Sequence, residues 1–294
     1  MRYLLMTAFL FLSLQASTGF ISAEQLQKKL FDKKLILVDV GNCADYDAGH
    51  IPNAMRSEIS AWRQPIELHQ EMRSSADIQE EMQRLGINKD SQVVIYGHNN
   101  KKEALKSSYM ALAMITHGLK DVTILNGAYG EWEDDEDRPI SKKLTENPKG
   151  NFTAKFIPGI LVDMQYVKAH IGKVPMLEAR PAVFYYGTLR SSGVKRIGHI
   201  PKAMSSFWKD KFEIDGTLKE EEVLKEIILD GYALDKTKEV ILYCTGGLEA
   251  SMNWFILSQH MHFKDVKIYD ASLREWANKD NTPLVRYKWE TFGY

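Results

Sequence analysis

The strongest constraint on how this chain folds is that it repeats itself once. Gly49-His50-Ile51-Pro52-Asn53-Ala54 recurs as Gly198-His199-Ile200-Pro201-Lys202-Ala203, and Val93-Val94-Ile95-Tyr96-Gly97 recurs as Val240-Ile241-Leu242-Tyr243-Cys244. Asp121-Val122-Thr123-Ile124-Leu125 is matched by Asp265-Val266-Lys267-Ile268-Tyr269, and Glu131-Trp132 by Glu275-Trp276. One long period of this kind means a duplicated domain, not a solenoid of short units. At 294 residues the chain has room for two hydrophobic cores. In each copy short β-branched apolar runs alternate with helical stretches, which predicts an α/β fold, a mainly parallel sheet flanked by helices on both faces. Strands are predicted over 35–40, 93–96 and 122–125 in the first copy, and over 176–179, 240–243 and 266–269 in the second. Helices are predicted over 105–117 and 249–262, and the stretch 139–158, poor in apolar periodicity, reads as a linker between domains 20–138 and 159–294.

Ahead of the first copy, Arg2 precedes an apolar run from Tyr3 to Leu14 and then Ala16-Ser17-Thr18-Gly19. This reads as a secretory signal peptide over 1–19, which predicts an exported protein, periplasmic or secreted, with no stable membrane span after processing. The run is too short to cross a bilayer comfortably, which disfavours a retained anchor. Cleavage fits after Gly19 or after Ala23. Ser22 and Gln25 form a capping box for a helix carrying Leu26, Leu30 and Phe31, which favours the earlier cut. The 38 basic and 39 acidic residues nearly cancel, leaving no electrostatic footprint for nucleic acid, so small molecules or proteins are the expected partners. The acidic run Glu133 to Asp137 lacks the alternation and glycine of a calcium loop. His98, His117, His260 and His262 have no companions at ligand spacing, so no metal site is expected.

Only Cys43 and Cys244 are present, which is no disulfide framework, and their unequal places in the repeat disfavour a bridge between them. Cys244 directly follows a predicted parallel strand and precedes a helix, at the carboxyl edge where open α/β sheets bind ligands. The intervening Thr245-Gly246-Gly247-Leu248 can curl so that backbone N–H groups face inward, beside the positive end of the helix dipole. Such a setting predicts a lowered thiol pKa and a nucleophilic thiolate. The competing reading is a buried structural cysteine.

Paired Gly-His-Ile-Pro segments, a Cys-x-x-Gly loop after an apolar strand and a late Glu-Trp together resemble the tandem rhodanese family over nearly the whole mature chain. The resemblance implies a sulfurtransferase that uses thiosulfate or 3-mercaptopyruvate, a persulfide on Cys244, a thiol or cyanide acceptor, and no cofactor. A protein thiol is a further possible acceptor. It also implies a silent first domain, and Gly97 indeed stands where Cys244 stands, followed by His98-Asn99-Asn100-Lys101-Lys102-Glu103. Lys101 and Lys102 read more simply as solvated than as an anion site.

By the same resemblance Arg180, in Leu177-Glu178-Ala179-Arg180, is the first choice for binding the donor's anionic group, and Arg190 and Arg196 are further choices. Thr245, Gly246, Gly247, Leu248 and Glu249 complete the predicted substrate loop. His50 and His199 occur in both copies before Ile-Pro and read as structural turn residues, and Trp132 and Trp276 as packing. The loop lacks the Arg-Lys pair of thiosulfate-preferring members, and Glu249 would repel a dianion unless it points away along the helix, which puts thiosulfate in doubt. Two other classes compete. A rhodanese-like phosphatase or arsenate reductase needs an arginine where Ala250 stands, and a non-enzymatic persulfide carrier would use the same Cys244 without turnover.

Overall fold

The computed structural model describes residues 19–99 and 101–292, so the expected leader lies outside the described residues except for Gly19. Among the described residues no helix is long and apolar enough to cross a membrane. The first copy supplies strands β1 (Phe20–Ile21), β2 (Leu35–Asp39), β3 (Ala54–Arg56), β4 (Arg63–Ile66), β5 (His69–Met72), β6 (Gln92–Tyr96) and β7 (Val122–Leu125). The second supplies β8 (Met176–Glu178), β9 (Ala203–Ser205), β10 (Glu239–Tyr243) and β11 (Asp265–Ile268). One sheet runs β1-β7-β6-β2-β3 and the other β11-β10-β8-β9, every neighbouring pair parallel. The six predicted strands are present within a residue or so. The short β1, β3 and β9 and the antiparallel hairpin β4–β5 carry too little apolar periodicity to stand out in the sequence.

Local chemistry explains the helix starts. Ser22 accepts from the Gln25 amide while the Gln25 side chain accepts from the Ser22 amide, the expected capping box. Asn42, Ser74 and Asp163 cap the helices Cys43–Ala48, Ser75–Arg84 and Met164–His170 one way only, each side chain accepting from the amide three residues on. The second predicted long helix is Leu248–Phe255 followed by a wider turn over Ile256–His260.

The duplication extends to individual hydrogen bonds. Tyr96 Oη accepts from Ile51 N at 3.1 Å and Tyr243 Oη from Ile200 N at 3.0 Å. His50 Nδ1 meets Tyr46 O at 2.8 Å with its ring stacked on Tyr46, and His199 Nδ1 meets Tyr185 O at 2.9 Å, stacked on Tyr185. Trp132 and Trp276 donate to Pro139 O and Pro283 O at 3.0 and 2.9 Å. Both histidines and both tryptophans are buried, as befits the packing and turn roles read from their recurrence. The segment 139–158 is no loose tether. It lies extended against the first copy, with Gly150 N on Gln83 O, Phe152 N on Ile87 O and Lys155 N on His117 O.

The helices Lys102–Thr116 and Leu248–Phe255, each following the central strand of its own sheet, pack against one another. The Ser108 and Ser251 hydroxyls meet there at 2.8 Å, and Phe20 presents its edge to Phe212 and Phe255. One apolar cluster therefore runs through both copies, and each copy has a smaller cluster of its own. This contact brings the β4–β5 hairpin of the first copy against the loop that carries Cys244.

Candidate active site

Cys244 leaves the carboxyl end of β10, the strand between β11 and β8. The three carbonyls that follow are each drawn outward. Cys244 O accepts from Leu273 N at 3.2 Å, Thr245 O from Arg274 N at 2.8 Å, and Gly246 O from the Arg63 guanidinium. Because peptide units are planar, carbonyls facing out place amides facing in. Gly247 N donates to Cys244 Sγ at 3.1 Å, and the amides of Gly246, Glu249 and Ala250 also point at the sulfur. Cys244 N is held by Ser272 Oγ at 3.1 Å. Gly247 sits at φ 88°, and a Cβ there would stand 2.1 Å from Asp270 Oδ1, so this position requires glycine on two counts.

The predicted cradle is thus formed, but the predicted lowering of the thiol pKa is not. Cys244 is 1% exposed, and burial, with the Glu249 carboxylate second, pushes its thiol up to about 12 against the pull of the amides. Removing water from a thiolate costs more than these dipoles return. Glu249 does not point away along its helix. Its carboxylate lies beside the Cys244 thiol and the Thr245 amide, and burial raises its own pKa against the pull of both. The first copy shows the same fold-back, with Glu103 accepting from His98 N at 2.7 Å. There a Cβ on Gly97 would lie 2.4 Å from Glu103 Cβ, so the first copy's loop has no room for a side chain at the cysteine position.

The three arginines chosen from sequence have different fates. Arg180 is 2% exposed, and its fork is taken up by Glu178, by Ser191 Oγ at 3.2 Å, and by the carbonyls of Phe184 and Gly198 at 3.2 and 2.8 Å. Glu178 is fully buried and also accepts from Tyr243 Oη at 3.0 Å. Arg196 is bound to Trp276 O, Ala277 O, Lys279 O and Thr282, which ties the 187–198 loop to the end of the helix Ser272–Trp276. Arg190 is exposed beside Ser191, whose hydroxyl lies 3.4 Å from Thr245 Oγ1. Thr245, Gly246, Leu248 and Glu249 are half-buried around the sulfur, and Gly247 is buried.

Sequence reasoning missed Arg63, Asp270 and Arg274. Arg274 lies across the outer side of Gly246, with its Cδ 3.4 Å from where a Cβ would stand. Its Nε has no hydrogen-bond partner among the described residues. The one available signal was that Gly130 occupies the matching place before Glu131-Trp132. Arg63 comes from the first copy, where nothing in the sequence marks it. Cys43 and Cys244 are both free, and among the described residues no group of three His, Cys, Asp or Glu side chains could hold a metal ion.

A duplicated α/β domain with one loop cysteine ringed by amides at the carboxyl end of an interior strand of the second sheet defines a two-domain, thiol-bearing class of protein. The model of the rhodanese-like domain matches residues 22–135 and 163–279, and the chain belongs to that family. It is similar to the sulfur carrier protein TtuD of Thermus thermophilus, 28% identical over 281 residues, covering 90% of this chain and 96% of the relative. It is equally similar to a provisionally named thiosulfate sulfurtransferase of Mycolicibacterium smegmatis, 28% identical over 274 residues, covering 90% and 96%. The fold also matches the anaerobic ergothioneine biosynthesis enzyme from Chlorobium limicola, solved with trimethyl histidine, at a TM-score of 0.79 and 23% identity, over 94% of this chain and 70% of that one. Sulfur transfer, in the general sense, is the chemistry this membership and these relatives support.

Proposed function

We propose that the protein is a sulfurtransferase that carries sulfane sulfur as a persulfide on Cys244. The observation that carries this reading is the convergence of loop amides on Sγ, an arrangement that stabilises negative charge on the sulfur and on a second sulfur bonded to it. The Glu249 carboxylate lies beside the thiol and is the proton acceptor at hand. As the proton passes to that carboxylate, the anion it leaves on Cys244 no longer faces a second negative charge. The sulfur then attacks the transferable sulfur of the donor, the outer one of thiosulfate or the thiol sulfur of 3-mercaptopyruvate; the S–S or C–S bond to it breaks, and its electron pair leaves on the rest of the donor. With 3-mercaptopyruvate the departing pyruvate enolate recovers a proton from Glu249. With thiosulfate the departing group is sulfite and the proton stays behind. An acceptor thiol or cyanide then removes the outer sulfur and restores the thiolate.

The Glu249 carboxylate beside the sulfur favours a donor with one negative charge over the thiosulfate dianion. Arg274, or Arg190 at the rim, is better placed than the engaged Arg180 and Arg196 to meet that charge. The test is Cys244→Ala assayed on both donors, with mass spectrometry of the wild type after donor exposure. Retained transfer in the variant, or no added sulfur in the wild type, defeats the proposal.

Similarity to a sulfur carrier protein favours a second reading, in which Cys244 loads once and hands its sulfur only to a partner protein. Pre-steady-state kinetics separate the two, because a carrier gives one equivalent of product and stalls with small acceptors. The apolar leader adds the proposal that this chemistry is exported to a periplasm or beyond the cell, which fractionation of the expressed full chain checks.

A further inference from the structure

The Arg63 guanidinium is far from β10 in sequence but reaches the loop at its most consequential carbonyl. It is 5% exposed at the start of β4, lies over the Tyr109 ring with 4.6 Å to the centroid, and donates to Gln70 O at 3.3 Å. Asp270 Oδ1 stands 4.0 Å away, while Asp270 Oδ2 accepts from Met72 N at 2.8 Å and Tyr109 Oη at 2.6 Å. Held on these sides, the guanidinium donates to Gly246 O. That oxygen belongs to the same peptide unit as the Gly247 N–H, which donates to Cys244 Sγ at 3.1 Å. A rigid peptide whose oxygen is fixed has its N–H direction fixed as well. A cation on the oxygen also strengthens the donor at the other end of the unit.

We infer that Arg63, in the domain whose matching loop carries Gly97 in place of a cysteine, is a positioning residue for the Cys244 sulfur, acting across the domain interface through the Gly246–Gly247 peptide. The inference rests on Cys244 being the working sulfur, and it gives the first copy a part in the chemistry of the other. One of the sulfur's hydrogen-bond donors is then aimed from the other domain.

The test uses full-length protein in a Cys43→Ser background, since Cys43 is exposed and would also react. The readout is the second-order rate of iodoacetamide alkylation of Cys244 at pH 9, alongside donor kcat and KM. Arg63→Met is expected to slow alkylation about tenfold, the equivalent of one pKa unit, and to lower kcat for persulfide formation with little change in KM. Arg63→Lys, which keeps a cation without the fork, is expected to recover about half of that loss on a logarithmic scale. Tyr109→Phe, which loosens the interface without touching the peptide, is expected to stay near the wild type. A merely structural role gives the opposite sign, because a loosened loop exposes the sulfur and speeds alkylation. An unchanged or faster rate in Arg63→Met, or equal slowing in Tyr109→Phe, overturns the inference. Should Arg63→Met fail to fold, Arg63→Lys decides alone, and a wild-type rate in it is the overturning result. Alkylation does not depend on sulfur transfer, so failure of the Cys244→Ala assay is read separately.

Discussion

Replacing Glu249 by glutamine removes a charge from beside the sulfur while keeping the shape, and the structure fixes the sign of the result. At pH 8 a thiol with a pKa of about 12 is ionised in roughly one molecule in ten thousand. Burial is the larger cause of that shift and persists in the variant, whereas the Glu249 carboxylate is the second cause and is lost. Two unit charges about 4 Å apart interact by at most about 4 kcal/mol in a partly solvated site. With burial the leading cause, we assign about one pKa unit, about 1.4 kcal/mol, to the carboxylate. Glu249→Gln in a Cys43→Ser background is therefore expected to be alkylated by iodoacetamide about tenfold faster across pH 7 to 9. In the same variant 3-mercaptopyruvate turnover should fall about a hundredfold through loss of the proton relay, while thiosulfate turnover holds or rises. Alkylation at the wild-type rate or slower would mean that the carboxylate does not act on the sulfur, and equal losses on both donors would refute the relay.

Gly247→Ala places a Cβ at φ 88° against Asp270 Oδ1; a loss of about 2–4 kcal/mol in urea unfolding is expected, and a loss within about 0.5 kcal/mol would contradict the geometry. Lys211 is buried, held by Ser206 Oγ at 2.7 Å and Phe207 O at 2.8 Å, and burial lowers its pKa to about 7. Its folded pKa lies below its unfolded value near 10.4, so between these limits the unfolded chain binds the extra proton and stability rises with pH. Lys211→Met should abolish about 1–3 kcal/mol of that rise between pH 6.5 and 9.5, and identical pH profiles for variant and wild type would refute it.

The duplication, the parallel strands and the position of Cys244 at the end of a strand were legible because they are local. A strand is written in a few successive apolar residues, and a repeat is written twice. The inward turn of the loop amides was legible too, since glycine at 246 and 247 lets the backbone take the positive φ that such a curl needs, as Gly247 does. The direction of the thiol pKa was not, because it depends on how completely neighbouring elements exclude water from the sulfur, and sequence shows the dipoles but not the desolvation. Nor could sequence separate Arg180 and Arg196 from Arg274, since all are arginines near motif residues, and only packing shows which guanidiniums are already spent on Glu178 or on helix-end carbonyls.

Sequence by itself determined two related α/β domains and one loop cysteine. Tertiary structure alone decided that Glu249 turns onto that cysteine and that Arg63 of the other domain grips the loop's outer face. The reason is that both contacts are electrostatic and depend on distance and burial, quantities fixed only when the helices Lys102–Thr116 and Leu248–Phe255 close the two halves onto one core.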